Sequence, residues 1–107
     1  MYSSFTNSFS TVEEILSMSI EDLAFMLLKH LSGYGDDGFN RHNFGQKDTV
    51  QSVPKEQRLN VMRAFMEAWG WLEKEVLITK VPAMESSMDF YFITRHGKEV
   101  LANGKMC

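Results

Sequence analysis

PKEQRLNVMRAFMEAWGWLEKEVLITKVPAMESSMDFYFIT, residues 54–94, decides how the rest of the chain is read. Pro54 suits a first helical turn, where its missing N–H is not needed, and the apolar residues after it recur at three- and four-residue intervals. The spacing predicts one helix from Pro54 to about Glu75, which at ~1.5 Å per residue is about 30 Å long. Leu59, Met62, Phe65, Met66, Trp69, Leu72 and Val76 form its buried arc, with Val61 at the margin. Opposite lie Glu56, Asn60, Arg63, Glu67, Gly70 and Lys74, with Trp71 beside them. Leu77–Val81 is rich in β-branched residues and stops at Pro82, while Asp89–Thr94 alternates large residues, so the two read as a strand and its return. PAMESSM between them makes a hairpin tip without lysine or arginine.

Upstream, Thr11 with Glu14 three residues on makes a capping box for a short helix ending near Met18. Ser19 restarts the chain in the same way, with Glu21 and Asp22 well placed against the helix dipole. Ile20, Leu23, Ala24, Leu27, Leu28 and Leu31 then follow a helical stripe, widened by Phe25 and Met26, and predict a largely buried helix. Gly33 and Gly35 supply its stop, expected through the left-handed conformation. His30, at the edge of the stripe, reads as a histidine bonded at the core boundary. Residues 33–53 are expected to be loop at first, with Phe39 and Phe44 anchoring a short helix or turn. Downstream, Thr94 caps a last helix, RHGKEVLAN, which Gly104 ends. Residues 1–10 form a loose segment unless Tyr2, Phe5 and Phe9 dock, and residues 11–107 form a single domain.

The totals fit that plan. A chain of 107 residues, 44% hydrophobic and 23% charged, builds one core without staples. AFMLL, the longest apolar run, is far short of a membrane span, and the N-terminus has neither the basic start nor the apolar centre of a signal peptide, so a cytoplasmic protein without a membrane partner is expected. The one cysteine, Cys107, allows no internal disulfide and no thiolate metal site, and the eight methionines read as core filler. The net charge of −3 opposes nonspecific binding to nucleic acid, but it is unevenly spread. Residues 1–37 set Lys29 against six carboxylates, whereas residues 38–66 set Arg41, Lys47, Lys55, Arg58 and Arg63 against Asp48 and Glu56. The basic segment therefore includes the start of the long helix.

WLEKEVLI, the hairpin after it and FITRHGKEVL resemble the second half of many bacterial winged helix-turn-helix domains, over about residues 55–104. The resemblance implies an α+β, mainly helical fold in which helices are followed by a two-stranded wing and a final helix. It also implies that Leu72 and Leu77 fill the core, that Thr94 caps and that Gly97 relieves crowding. A second resemblance takes in the whole chain through VEEILSMSIEDLAFMLLKHL, FNRHNF and MEAWGWLEKEVLI. It is to the N-terminal helical modules of some bacterial and phage-linked proteins, abortive-infection types among them, and implies a recognition or assembly module preceding another domain. The chain departs from DNA-binding relatives in three respects: no compact small-residue turn precedes the long helix, that helix is longer than usual, and neither its exposed face nor the hairpin tip is basic.

Catalysis finds no support, since HExxH, a Gly-rich phosphate loop, GxSxG and a Cys–His pair are all missing, and no cofactor is implied. Two functions compete. In a regulatory, double-stranded DNA reader, Arg41, His42, Lys47, Lys55, Arg58 and Arg63 would form the phosphate and groove face, Asn60 would pair with adenine, and Lys80, Arg95 and Lys98 would hold the flanking backbone. In a protein-interaction module, the long helix or the hairpin would form a homodimer or dock another domain through Trp71, Met84, Met88 and Tyr91, and the acidic residues 1–37 would suit a basic partner.

Overall fold

The computed structural model describes residues 5–6, 9, 11–33, 39–40, 44, 47–51, 53–82 and 90–104. The fold is α+β and mainly helical. In order it comprises α1 (Val12–Ser17), α2 (Ile20–Ser32), β1 (Phe39–Asn40), two 3₁₀ turns (Lys47–Val50 and Lys55–Gln57), α3 (Arg58–Lys74), β2 (Ile78–Lys80), β3 (Phe90–Ile93) and α4 (Arg95–Asn103). The hairpin tip falls outside the described residues.

The helix starts follow their caps. Thr11 Oγ1 accepts the Glu14 N–H at 3.1 Å, and Ser19 Oγ accepts that of Asp22 at 3.2 Å. α2 buries Leu23, Ala24, Leu27, Leu28 and Leu31 and lies against α3. Its end differs from expectation at Gly33, which stays right-handed at φ −69°, while Gly35 lies outside the described residues. Of the N-terminal aromatics, Phe5 and Phe9 dock in the core, and Tyr2 lies outside the described residues.

Two features of the middle of the chain correct the sequence reading. First, Phe39–Asn40 is a strand rather than part of a loop or short helix, and it makes the antiparallel sheet three-stranded in the order β1-β3-β2. Two residues are too few to show an alternation, so only their pairing with Tyr91 and Phe90 reveals the strand. Second, Pro54 precedes a 3₁₀ turn, and the α-helix begins four residues later at Arg58.

The buried arc of α3 is also rotated from the expected one. It runs through Val61, Phe65, Ala68, Trp69 and Leu72, while Met62 and Met66 are only half-buried. Leu59, expected inside, is 62% exposed. Leu59 and Val61 stand about 200° apart around a helix, so burying one exposes the other. The rings that meet the helix choose between them. Phe5 packs on Phe65 with centroids 4.8 Å apart, and Phe44, Phe39 and Tyr91 surround Trp69 at 5.1, 5.7 and 5.4 Å.

α3 ends in a Schellman motif, with Leu77 N–H donating to Leu72 O at 2.9 Å and Val76 N–H to Glu73 O at 3.1 Å. That motif puts Val76 at φ +57°, the left-handed region, and leaves it 57% exposed rather than in the buried arc. A β-branched residue is a poor occupant of this position. Thr94 holds the junction: its hydroxyl donates to Val76 O at 2.6 Å and accepts the Gly97 N–H at 3.0 Å, and its own N–H donates to Leu77 O at 3.0 Å. A Cβ on Gly97 would land on the Leu77 carbonyl and come within 2.7 Å of Ile93 Cγ2, so the close approach of α4 to the sheet requires glycine there. Gly104, at φ +76°, ends α4.

Replacing Val76 by glycine removes the left-handed strain, about 1–2 kcal/mol, against an entropic cost of about 0.5–1 kcal/mol. Val76→Gly is therefore expected to raise stability by roughly 1 kcal/mol, seen as a higher urea midpoint at unchanged slope.

Candidate nucleic-acid interface

The rotation of α3 determines which side chains face outward. Leu59, Asn60, Arg63, Glu67, Gly70 and Lys74 are exposed along one arc, and Lys55 and Glu56 are exposed in the 3₁₀ turn that leads into it. Lys55, Asn60 and Arg63 thus share one end of the helix with two carboxylates. Among the described residues, no side chain of Lys55, Asn60, Arg63 or Glu67 has a hydrogen-bond or ion-pair partner.

Arg58 differs from them. Its Nε donates to Val53 O at 2.8 Å and its Nη2 to Gln51 O at 3.0 Å, so the guanidinium fastens the segment before α3 onto the helix start. Its planar fork suits two carbonyls better than a point charge would. Arg58 therefore serves the fold, and two of its donors are already engaged.

The other basic residues do not converge on this face. α3 has 17 residues, about 25 Å of rise. Thr94 fastens the start of α4 to Val76, so Arg95 lies at the opposite end of α3 from Lys55. Lys98 follows on the exposed side of α4, and Lys80 is exposed at the end of β2. Lys47 belongs to the first 3₁₀ turn. Arg41 and His42 lie outside the described residues.

Of the residues expected at a protein contact, Trp71 is half-buried and packs against the core. Tyr91 is only 4% exposed, stacks edge-on with Trp69 and donates its hydroxyl to Glu73 Oε2 at 3.4 Å, so it is not available at a surface. The register explains the error. Tyr91 pairs with Phe39 and lies on the inner face, which turns Phe92, opposite Thr79, to the other side with 37% exposure. Met84 and Met88 lie outside the described residues.

Leu59 and Phe92, like Val76 at the helix end, are surface residues that the sequence reading missed. Both have apolar neighbours close in sequence, and neither periodicity alone separates the inner from the outer side. Polar groups also sit inside. Thr6 and Thr49 are buried, and Thr49 donates to Phe44 O at 2.7 Å. Trp69 Nε1 is buried without a hydrogen-bond partner among the described residues. His30 packs on Phe5 with centroids 5.2 Å apart, and desolvation lowers its pKa from the ordinary 6.5.

Among the described residues no group of three His, Cys, Asp or Glu is placed to hold a metal, and no helix is long and apolar enough to cross a membrane. No protein-family model, curated protein or solved structure matches this chain.

Two outcomes are expected. Arg58→Ala leaves two carbonyls without their charged donor and lowers stability by about 2 kcal/mol in chemical denaturation, with Arg58→Lys recovering part of it. For His30, the fold favours the neutral ring, so the unfolded chain takes up its proton first as pH falls. Its effect on stability is absent above the unfolded pKa and grows as pH drops below about 6.5 towards the lowered folded value. Thermal melts from pH 7 to pH 5 are expected to show a decline that is shallower in His30→Asn.

Proposed function

We propose that this chain is a winged-helix domain that binds double-stranded DNA in a regulatory role. The strand order carries the reading. β1 precedes α3 in the chain yet adds to β3 on the side away from β2, and α3 leads directly into the β2–β3 hairpin. A helix so placed is the one that a helix-turn-helix protein presents to the major groove, with the hairpin beside it. Lys55 and Arg63 offer unengaged cations on the first half of that helix, and Asn60 a carboxamide suited to an adenine edge. Arg41, His42 and Lys47, which precede the helix in sequence, extend the basic segment, while Lys80, Arg95 and Lys98 serve backbone farther along the duplex.

A second reading, a protein-interaction or dimerisation module of a bacterial or phage-defence protein, is favoured by Phe92. An aromatic side chain held outward on the sheet is the kind of anchor that protein contacts use. It leaves Lys55 and Arg63 without a role.

The readings separate in one experiment: fluorescence polarisation with a mixed duplex pool at low and physiological salt, using wild type and Lys55→Ala/Arg63→Ala. DNA binding that weakens steeply with salt is expected, and the variant should lose affinity for the mixed pool and show a flatter salt slope. Retention of neither protein at low salt overturns the DNA reading. A sedimentation coefficient that rises with concentration would then favour the module.

A further inference from the structure

The outward face of α3 is oddly composed for a surface that only grips phosphate. Leu59, Asn60, Arg63 and Glu67 are exposed on one arc. The eight-residue rise from Leu59 to Glu67, ~12 Å, corresponds to three or four base-pair steps of ~3.4 Å. A carboxylate in this place opposes attraction to the DNA backbone, and a leucine has nothing to offer it. The same two residues acquire a use when the partner is a base edge. A carboxylate accepts from the cytosine N4 amino group, an apolar side chain packs on the thymine methyl, a carboxamide pairs with adenine and a guanidinium pairs with guanine.

The state of these side chains fits that use. Arg63 and Glu67 stand four residues apart, yet no ion pair neutralises either among the described residues. Arginine preceding glutamate is also the weaker order for such a pair. The Asn60 side chain makes no hydrogen bond there either, whereas Arg58, five residues before Arg63, has two of its donors committed to Val53 and Gln51. The arc therefore holds one donor-only, one acceptor-only, one bifunctional and one apolar group, all available and all on a regular helix.

Resting on the DNA-binding reading, we infer that Leu59, Asn60, Arg63 and Glu67 form a base-reading stripe for a major-groove element of three to four base pairs. Glu67 takes a cytosine, Arg63 a guanine, Asn60 an adenine and Leu59 a thymine methyl. Lys55, one turn before, supplies affinity without sequence preference. The carboxylates that weaken nonspecific binding thereby raise selectivity, because a Glu67 facing any base but cytosine is left with an unpaired charge.

The test is selection from a randomised duplex pool at low salt, with wild type, Glu67→Gln, Leu59→Ala and Lys55→Ala; all three positions are exposed, so the fold is retained. Wild type is expected to enrich a short motif containing cytosine. Glu67→Gln should exchange that cytosine for adenine, by about 10-fold or more, and leave the other positions alone. On the enriched duplex, replacing thymine by uracil should weaken wild type several-fold and Leu59→Ala not at all. Lys55→Ala should weaken every sequence equally. Binding without an enriched motif, or the same motif from Glu67→Gln as from wild type, overturns the stripe while DNA binding itself stands. If wild type retains no DNA at low salt, the stripe falls together with the reading beneath it.

Discussion

Phe65 and Trp69, one helical turn apart on α3, are met by rings from four separate parts of the chain. Phe5 comes from the N-terminal segment, Phe39 from β1, Phe44 from the stretch after it and Tyr91 from β3. The Phe39–Trp69 and Tyr91–Trp69 pairs are both edge-to-face at 86°, an arrangement worth about 0.5–1.5 kcal/mol per pair beyond the area it buries. Their combined effect is geometric as well as energetic. Once both rings point into this cluster, α3 cannot roll about its axis, and the outward arc from Leu59 to Lys74 is settled. One polar atom bears the consequence, since Trp69 Nε1 is buried with no acceptor among the described residues. An unmet donor of this kind costs about 1–3 kcal/mol, which the two edge-to-face pairs match and the burial of the indole itself exceeds.

What could be read from the sequence divides along the range of the signal. The caps at Thr11, Ser19, Thr94 and Gly104 depend on residues within three or four positions, and all four close their helix ends, Thr11 through its hydroxyl without the reciprocal Glu14 bond of a capping box among the described residues. The face of α3 does not. Leu59, Val61, Met62, Phe65, Met66, Trp69 and Trp71 surround most of the helix with apolar side chains, so periodicity allows more than one roll angle, and the choice comes from Phe5, Phe39, Phe44 and Tyr91 elsewhere in the chain. β1 is hidden for the same reason, being recognisable only through Tyr91 and Phe90. A left-handed helix end is expected at Gly33, where the backbone stays right-handed, and one occurs unannounced at Val76, after the long helix. There the deciding need is Leu77, which is buried and donates back to Leu72 at the very step where the chain turns into β2. Tertiary demand on the next residue outweighs the preference of valine itself.

The candidate site shows the same division. Asn60 and Arg63 face outward as the sequence implied, because that side of α3 is polar under either roll angle. Arg58 and Arg63 are chemically identical and only five residues apart, and nothing in composition distinguishes them. Burial does: Arg58 stands at the edge of the core side, within reach of carbonyls that the preceding segment leaves over, whereas Arg63 is exposed and its side chain has no partner among the described residues. For β3 the ambiguity is one of parity. Phe90, Tyr91, Phe92 and Ile93 are all large, so alternation establishes two faces without saying which is inner, and the choice falls to Trp69 through its contact with Tyr91.

The junction after α3 connects these elements to whatever the outward face meets. Thr94 bonds Val76 O and the Gly97 N–H through its hydroxyl and Leu77 O through its backbone N–H, which ties the end of α3, the start of the hairpin and the start of α4 to one residue. Gly97 lets α4 close against Leu77 and Ile93 from the other side. Such a junction permits little hinge motion between helix and sheet. A glycine at position 76 would meet the Schellman geometry with less strain but would give the unfolded chain more freedom there. For a surface that must present side chains at fixed spacing to a rigid partner, a stiff mount reduces the ordering that binding would otherwise require. The strain at Val76 is therefore compatible with a helix whose purpose is to hold its exposed arc in one orientation relative to the hairpin beside it.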